Sequence, residues 1–262
     1  MAPLFRRGKR RPDLVVSEER GVRYLHVGGE AIQSAMRLEE PFALELDYTR
    51  CMMTFLLFHP QPRRALMIGL GGGSLAKFFH SRLHGLRTHV VEYDERVIAT
   101  ARALFHLPAD DARLVVEHGD GVLALAPECC DLLVVDGFED EATPAAMVSQ
   151  AFFDAAWCAL EEPGALVVNF MDDDRDFDRN LRRIERAFGG AVIAFQALRD
   201  PNIVVMGLKG APPGLAWREL RARAAALEKR YGLPFARYVE RLRTMNRWTV
   251  DELLVCAPPE DG

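Results

Sequence analysis

Arg64-Ala-Leu-Met-Ile-Gly-Leu-Gly-Gly-Gly-Ser-Leu-Ala-Lys-Phe-Phe79 is the stretch on which the reading of the chain turns. Four apolar residues, Ala65 to Ile68, predict a short strand buried on both faces. Gly69, Gly71, Gly72 and Gly73 predict a turn, and Ser74 opens an apolar-periodic helix. A strand that passes through a glycine loop into a helix suits a nucleotide. Backbone N–H groups can approach the ligand, and the helix N-terminus adds favourable partial charge. An ordinary tight turn has the same local pattern, so the neighbouring segments decide between the two.

Downstream, apolar runs at 88–93, 114–117, 131–136 and 165–170 alternate with amphipathic stretches at 95–105, 149–160 and 176–188. A short helix is expected after Gly119-Asp-Gly121. Continuous apolar strands alternating with helices imply a parallel sheet covered on both sides. Two further runs, 191–195 and 202–206, are joined by Arg199-Asp-Pro-Asn202, too short a link for a helical crossover, so they pair antiparallel. Upstream, 14–17 and 23–27 read as strands around a Glu18-Glu-Arg-Gly21 turn, with a third extended piece over 31–36. Residues 47–58 read as a helix stopped by His59-Pro-Gln-Pro62, and 217–231 and 235–255 read as two more helices. The expected fold is α/β: a seven-stranded doubly wound sheet with a small N-terminal antiparallel β unit and a helical C-terminal tail. Its layout resembles class I S-adenosylmethionine-dependent methyltransferases. The expected division is 1–46, 47–210 as the nucleoside-binding catalytic domain, and 211–262.

Composition narrows the partners. The 262 residues are 49% hydrophobic, enough for a full core, and the net charge of −5 argues against nucleic acid or an anionic membrane as partner. The basic cluster Arg6, Arg7, Lys9, Arg10, Arg11 reads as a solvated tail. Five cysteines without metal-ligand spacing fit reduced thiols, and no apolar run approaches a membrane span. A soluble cytoplasmic protein without a metal is expected.

In an open α/β sheet the ligand lies at the carboxyl ends of the strands. Glu92 ends the second strand of the sheet, where a carboxylate accepts hydrogen bonds from ribose hydroxyls. Asp94 fits better as the cap of the helix beginning at Glu95. Asp120 either accepts from an adenine amino group, with Gly121 letting the base lie close, or caps a helix. Asp136 ends the fourth strand, over the glycine loop, where a carboxylate can take a proton or hold a cation. Ser74 stands where the nicotinamide fingerprint wants Gly or Ala, which favours an adenosyl-sulfonium ligand over NAD.

His59-Pro-Gln-Pro-Arg-Arg-Ala-Leu-Met-Ile-Gly69, Val91-Glu-Tyr-Asp-Glu-Arg-Val97, Gly119-Asp-Gly121 and Asp131-Leu-Leu-Val-Val-Asp136 resemble polyamine aminopropyltransferases, the spermidine synthases. The likeness runs from about Tyr24 to Met206 and takes in the N-terminal β unit. Tyr48-Thr-Arg-Cys-Met-Met53 and Gly69-Leu-Gly-Gly-Gly-Ser-Leu75 are similar to a spermidine-synthase-like branch. The resemblance implies transfer of an aminopropyl group from decarboxylated S-adenosylmethionine to a small amine, in a homodimer. By position it implies that Gln33, Gly69, Gly71, Gly73, Glu92, Asp120 and Gly121 hold the nucleoside. It implies Asp136 as the base, with Tyr48 and Glu139 on the amine side.

The chain departs from the family pattern on that amine side. Gly72 replaces the aspartate of the usual Gly-Gly-Gly-Asp-Gly loop, and Asp136-Gly-Phe-Glu-Asp140 replaces Asp-Ser-Thr-Asp-Pro. Asp47-Tyr48 replaces a Tyr-His pair, so Asp47 or the 139–141 acids are candidates to compensate. Two other readings fit the nucleoside half equally: a methyltransferase using S-adenosylmethionine on a small molecule, and a nucleoside-binding protein without turnover.

Overall fold

Three antiparallel strands come first in the computed structural model, which describes residues 13–29, 31–137 and 145–256. β1 (Leu14–Glu19) and β2 (Val22–Val27) are joined through Arg20 and Gly21, with φ of 50° and 77°. Positive φ at both turn residues matches the twist of a tight hairpin. β3 (Ile32–Arg37) pairs with β2 on its other side.

The apolar segment that follows forms α1 (Asp47–Met52) and then a 3-10 turn, Met53–Leu57, rather than the single helix expected over 47–58. The Thr54 hydroxyl donates back to the Cys51 carbonyl at 2.6 Å, and every residue of the turn is buried. Side-chain competition for the backbone, with burial all round, favours the tighter winding.

The main sheet and its helices run β4 (Arg64–Ile68), α2 (Ser74–Arg82), β5 (Arg87–Glu92), α3 (Glu95–Leu104), β6 (Leu114–His118), β7 (Cys130–Val135), α4 (Gln150–Ala159), β8 (Leu160–Met171), α5 (Phe177–Ala187), β9 (Val192–Gln196) and β10 (Asn202–Lys209). Spatial order is β6-β5-β4-β7-β8-β10-β9. The first five are parallel, and β10 inserts antiparallel between β8 and β9, as expected. The 114–118 strand is not followed by the expected short helix. Residues 121–124 make only a turn, closed by Leu123 N–H to the Asp120 carbonyl at 3.0 Å. So short a segment does not recover the cost of nucleating a helix.

Side chains alternate between two cores. Ala65, Met67, Leu132, Val134, Ala165 and Val167 face α1, α2 and the C-terminal helices. Leu66, Ile68, Leu133, Val135, Leu166 and Val168 face α4 and α5. The buried strand positions are apolar on both faces, which is why those runs lacked polar alternation.

The C-terminal region adds β11 (Gly214–Ala216), α6 (Trp217–Tyr231), α7 (Phe235–Arg241) and β12 (Glu252–Leu254), which pairs with β11. The helix expected over 235–255 therefore stops early. Asn246 fastens the segment beyond it: its side chain accepts from Ala194 N–H (2.8 Å) and donates to Ala194 C=O (2.7 Å), covering an edge position of β9. α7 winds down through a 3-10 turn, Leu242–Thr244, and the same side chain donates to the Leu242 carbonyl (2.7 Å), tying the chain past the helix end to β9. Trp217, Leu220, Phe235 and Tyr238 lie in the same core as β4, β7 and β8, and the Tyr238 ring meets Phe195 edge-on at 5.5 Å.

Candidate active site

The sheet reverses its winding between β4 and β7, the two strands whose carboxyl ends lead to the glycine loop and to Asp136. Asp136 N–H donates to the Ile68 carbonyl at 3.0 Å, so the two strand ends are bonded side by side. Gly69 makes that contact possible. A Cβ there would lie 2.3 Å from the Asp136 carbonyl oxygen, and φ is +96°. Gly71 and Gly73 also have positive φ, and Gly73 caps the start of α2.

Glu92 is half-buried and bridges the loop. One carboxylate oxygen accepts from Leu70 N–H at 2.8 Å and the other from Asp94 N–H at 2.9 Å. Burial raises its pKa while these two N–H groups oppose the rise. Asp94 caps α3 through Arg96 N–H, as expected. Asp120 Oδ1 accepts from Val122 N–H at 2.9 Å, an Asx turn in place of the helix cap weighed from sequence. Gly121 packs so closely that a Cβ would sit 2.3 Å from Ile68 Cγ2.

The N-terminal sheet closes one side. Gly72 N–H donates to Ser34 Oγ at 2.8 Å, and the Ser74 hydroxyl donates to the Ala35 carbonyl at 3.4 Å, so β3 lies across the glycine loop. Gln33 comes with it; its side-chain oxygen is buried and has no hydrogen-bond partner. A buried acceptor without a protein partner is uncommon.

Asp136 lies half-buried at the centre. Tyr48 Oη reaches Asp136 Oδ2 at 3.2 Å and the Gln33 carbonyl at 3.3 Å. The hydroxyl has one proton, and an ionised carboxylate is the stronger acceptor. Asn169 Nδ2 donates to Asp136 Oδ1 at 3.0 Å. Burial pushes the Asp136 carboxyl up to about 6, against the two hydrogen bonds, which favour the anion. The Tyr48 hydroxyl is held well above its ordinary range by burial and by the Asp136 and Asp200 charges.

Gln33, Tyr48, Asp136, Glu92 and the glycine loop are thus linked by contacts around the ends of β4, β5 and β7. Glu139 and Phe138 lie outside the described residues. Asp47 does not face the site: its Oδ2 accepts from Leu198 N–H (2.7 Å) and Arg199 N–H (2.9 Å), fixing the turn before β10. The space beside Gly72 is also filled, since a Cβ would meet Phe105 Cδ1 at 2.9 Å and Ser34 Cβ at 3.1 Å. Asn169, Asn202 and Asp200, which accepts from Tyr48 N–H at 2.9 Å, were not singled out from sequence. Asn169 carried a signal, a lone polar residue near the carboxyl end of a buried strand. The other two, at the turn before an antiparallel strand and at its start, carried none.

No family model matches the chain. The polyamine aminopropyltransferase of Chromobacterium violaceum is 37% identical over 246 residues, covering 93% of this chain and 94% of that protein. The polyamine aminopropyltransferase of Neisseria meningitidis serogroup A is 34% identical over 238 residues, 90% of each. Among solved structures, a probable spermidine synthase from Corynebacterium glutamicum superposes with a TM-score of 0.69 at 22% identity, covering 87% of this chain and 88% of that one. Human methyltransferase-like protein 13, solved with SAH, gives 0.63 at 23% identity over 79% of this chain and 96% of that one. A spermidine synthase in complex with the transition state analogue AdoDATO gives 0.58 at 19% identity over 85% and 89%. At these identities the structures establish the methyltransferase-like fold.

Proposed function

The chain belongs to the polyamine aminopropyltransferase family, and from that premise we propose that it transfers an aminopropyl group from decarboxylated S-adenosylmethionine to an amine, putrescine or another polyamine, with Asp136 as the base. The observation that carries the reading is a half-buried carboxylate, held by Tyr48 and Asn169 at the strand ends beside the glycine loop and pushed up to about 6.

The chemistry is a displacement. The amine lone pair attacks the methylene carbon next to the sulfonium, the C–S bond breaks toward sulfur, and neutral 5′-methylthioadenosine leaves. The nitrogen must shed a proton, and free alkylammonium groups hold theirs to about pH 10. Raising a carboxylate from its ordinary range to about 6 narrows that gap by roughly 3 kcal/mol. The same burial makes the ammonium easier to deprotonate. Tyr48 and Asn169 fix the carboxylate, so positioning supplies a further share of the rate. Gln33, Glu92, Asp120 and Gly121, with the glycine loop, take the nucleoside. Glu139 is proposed as a second acid on the amine side. An ionised Asp136 beside the reacting group favours a donor that has lost its own carboxylate, because two buried like charges repel. Family membership supports extending the reading to a cytoplasmic homodimer; among the described residues no helix is long and apolar enough to cross a membrane.

Thermal shift with 5′-methylthioadenosine, decarboxylated and ordinary S-adenosylmethionine, and NAD tests the nucleoside half. Stabilisation is expected from the adenosyl ligands and not from NAD. Stabilisation by NAD alone would falsify the donor assignment.

A further inference from the structure

Behind Asp136 lies a chain of two amides. Asn169 Nδ2 donates to Asp136 Oδ1 at 3.0 Å, and Asn202 Nδ2 donates to Asn169 Oδ1 at 3.1 Å. Both asparagines are buried, on the neighbouring strands β8 and β10. An asparagine amide can turn either edge toward a neighbour, with opposite consequences for a carboxyl group. An N–H facing Asp136 stabilises the anion, whereas a C=O facing it stabilises the protonated acid. With Asp136 protonated, Asn169 alone could present either edge, so it would do little to oppose the protonated form. Asn202 fixes the choice, because its N–H occupies the Asn169 oxygen and turns the Asn169 nitrogen toward Asp136. Its own orientation is favoured in turn by Met171 Sδ, a weak acceptor 3.5 Å from the same nitrogen.

We propose that Asn202 is a positioning residue for the base: acting through Asn169, it holds Asp136 in the ionised form that accepts the proton. The inference rests on Asp136 serving as the base in the reaction above. Burial alone favours the protonated acid, which cannot take a proton from an amine. A donor at Oδ1 that cannot easily turn over offsets that tendency and leaves the carboxylate ionised at neutral pH. The Tyr48 hydroxyl reinforces it at Oδ2, and when Asp136 protonates it has the Gln33 carbonyl as its other acceptor.

Among the described residues few other charges act on this carboxylate; the acids Glu139, Asp140 and Glu141, which follow Asp136 in sequence, lie outside them. From α1 Tyr48 touches it, and Asp47 on the same helix is turned to the Leu198 and Arg199 N–H groups. From the turn before β10, Asp200 bears on Tyr48. Glu92 stands two strands away, bonded to the loop, and Asp172 and Asp173 beyond β8 are exposed. The glycine loop brings no titratable group to it, and Arg37 of β3 is paired with Glu45.

The test reads the carboxyl group directly, by 13Cγ-aspartate NMR of the full chain, with Asp136→Asn assigning the resonance. Wild type is expected to titrate near 6. In Asn202→Leu, which keeps the volume, and in Asn202→Ala, which avoids any misfit, the midpoint is expected to rise by about half a pH unit or more. With Asn169 already replaced by Ala, Asn202→Ala should add no further shift, because its route to Asp136 is gone. An unchanged midpoint in both single variants, with wild-type melting curves, overturns the proposal, as does a shift that persists in the Asn169→Ala background. The NMR reading does not need turnover, so it stands apart from any failure of the aminopropyl-transfer reading. In an active enzyme the acid limb of kcat/KM moves with the NMR midpoint, while KM for the nucleoside donor stays as in wild type.

Discussion

Asp136 ties stability to function through one proton. Its folded carboxyl holds the proton up to about pH 6, whereas in the unfolded chain it would lose it near the ordinary carboxylate value. Protonation therefore favours the folded state. The contribution is complete below about pH 4 and is lost as pH rises through about 6. Above that range the buried anion costs the free protein roughly 3 kcal/mol, an order-of-magnitude figure from the same difference. Asp136→Asn should consequently melt higher than wild type at pH 8, with the advantage shrinking below pH 4, while turnover falls by at least about a hundredfold. Equilibrium denaturation at the two pH values checks the first part, and nucleoside binding by calorimetry should be little changed. Glu92 and Asp136 were legible from sequence because a strand-end carboxylate has few structural uses. Asn169 carried only the signal of a lone polar residue in a buried strand, and Asn202 none, since its importance lies in a cross-strand contact between residues 33 positions apart. Asp47 misled for the same reason: its partners, Leu198 and Arg199, are remote in the chain.

At the scale of an element, the glycine loop is shaped as much by what packs on it as by its own sequence. Gly72 is the instructive position. Its backbone has ordinary φ, so glycine is required there by space, which Phe105 and Ser34 fill. Phe105 is itself pinned, because the buried Lys77 ammonium on α2 donates to its carbonyl at 2.7 Å and burial lowers that lysine to about 8. Gly72→Ala should cost about 1–3 kcal/mol through overpacking, and Gly72→Asp at least as much. Neither is expected to improve transfer. Gly85→Ala, where a Cβ meets nothing within 4 Å, serves as the control and should melt like wild type. Gly69→Ala should be worse than Gly72→Ala, since its Cβ meets a carbonyl oxygen that cannot move without dragging β7. Helix and strand starts were readable from caps and periodicity, but the early stop of α7 was not. Asn246 ties the chain past that helix to β9, about fifty residues earlier in sequence.

For the whole molecule, the methyltransferase-like sheet was legible because buried strands and striped helices alternate in an order few topologies satisfy. The role of residues beyond 210 was less legible. They read as a tail, yet Trp217, Leu220, Phe235 and Tyr238 complete the core on one face of the sheet. Ending the chain at Lys209 should therefore expose that face, and the shortened protein is expected to aggregate or lose its cooperative melt, as calorimetry would show. The N-terminal sheet contributes differently, bringing Gln33 and Ser34 to the loop and so building one wall of the site. The full chain is incubated with decarboxylated S-adenosylmethionine and putrescine or a longer polyamine, and the products are followed by mass spectrometry. The expected result is 5′-methylthioadenosine appearing in equal amount with an amine heavier by one aminopropyl group, and neither appearing with Asp136→Asn. The contradicting result is no product from any of these amines while ordinary S-adenosylmethionine yields S-adenosylhomocysteine and a methylated acceptor.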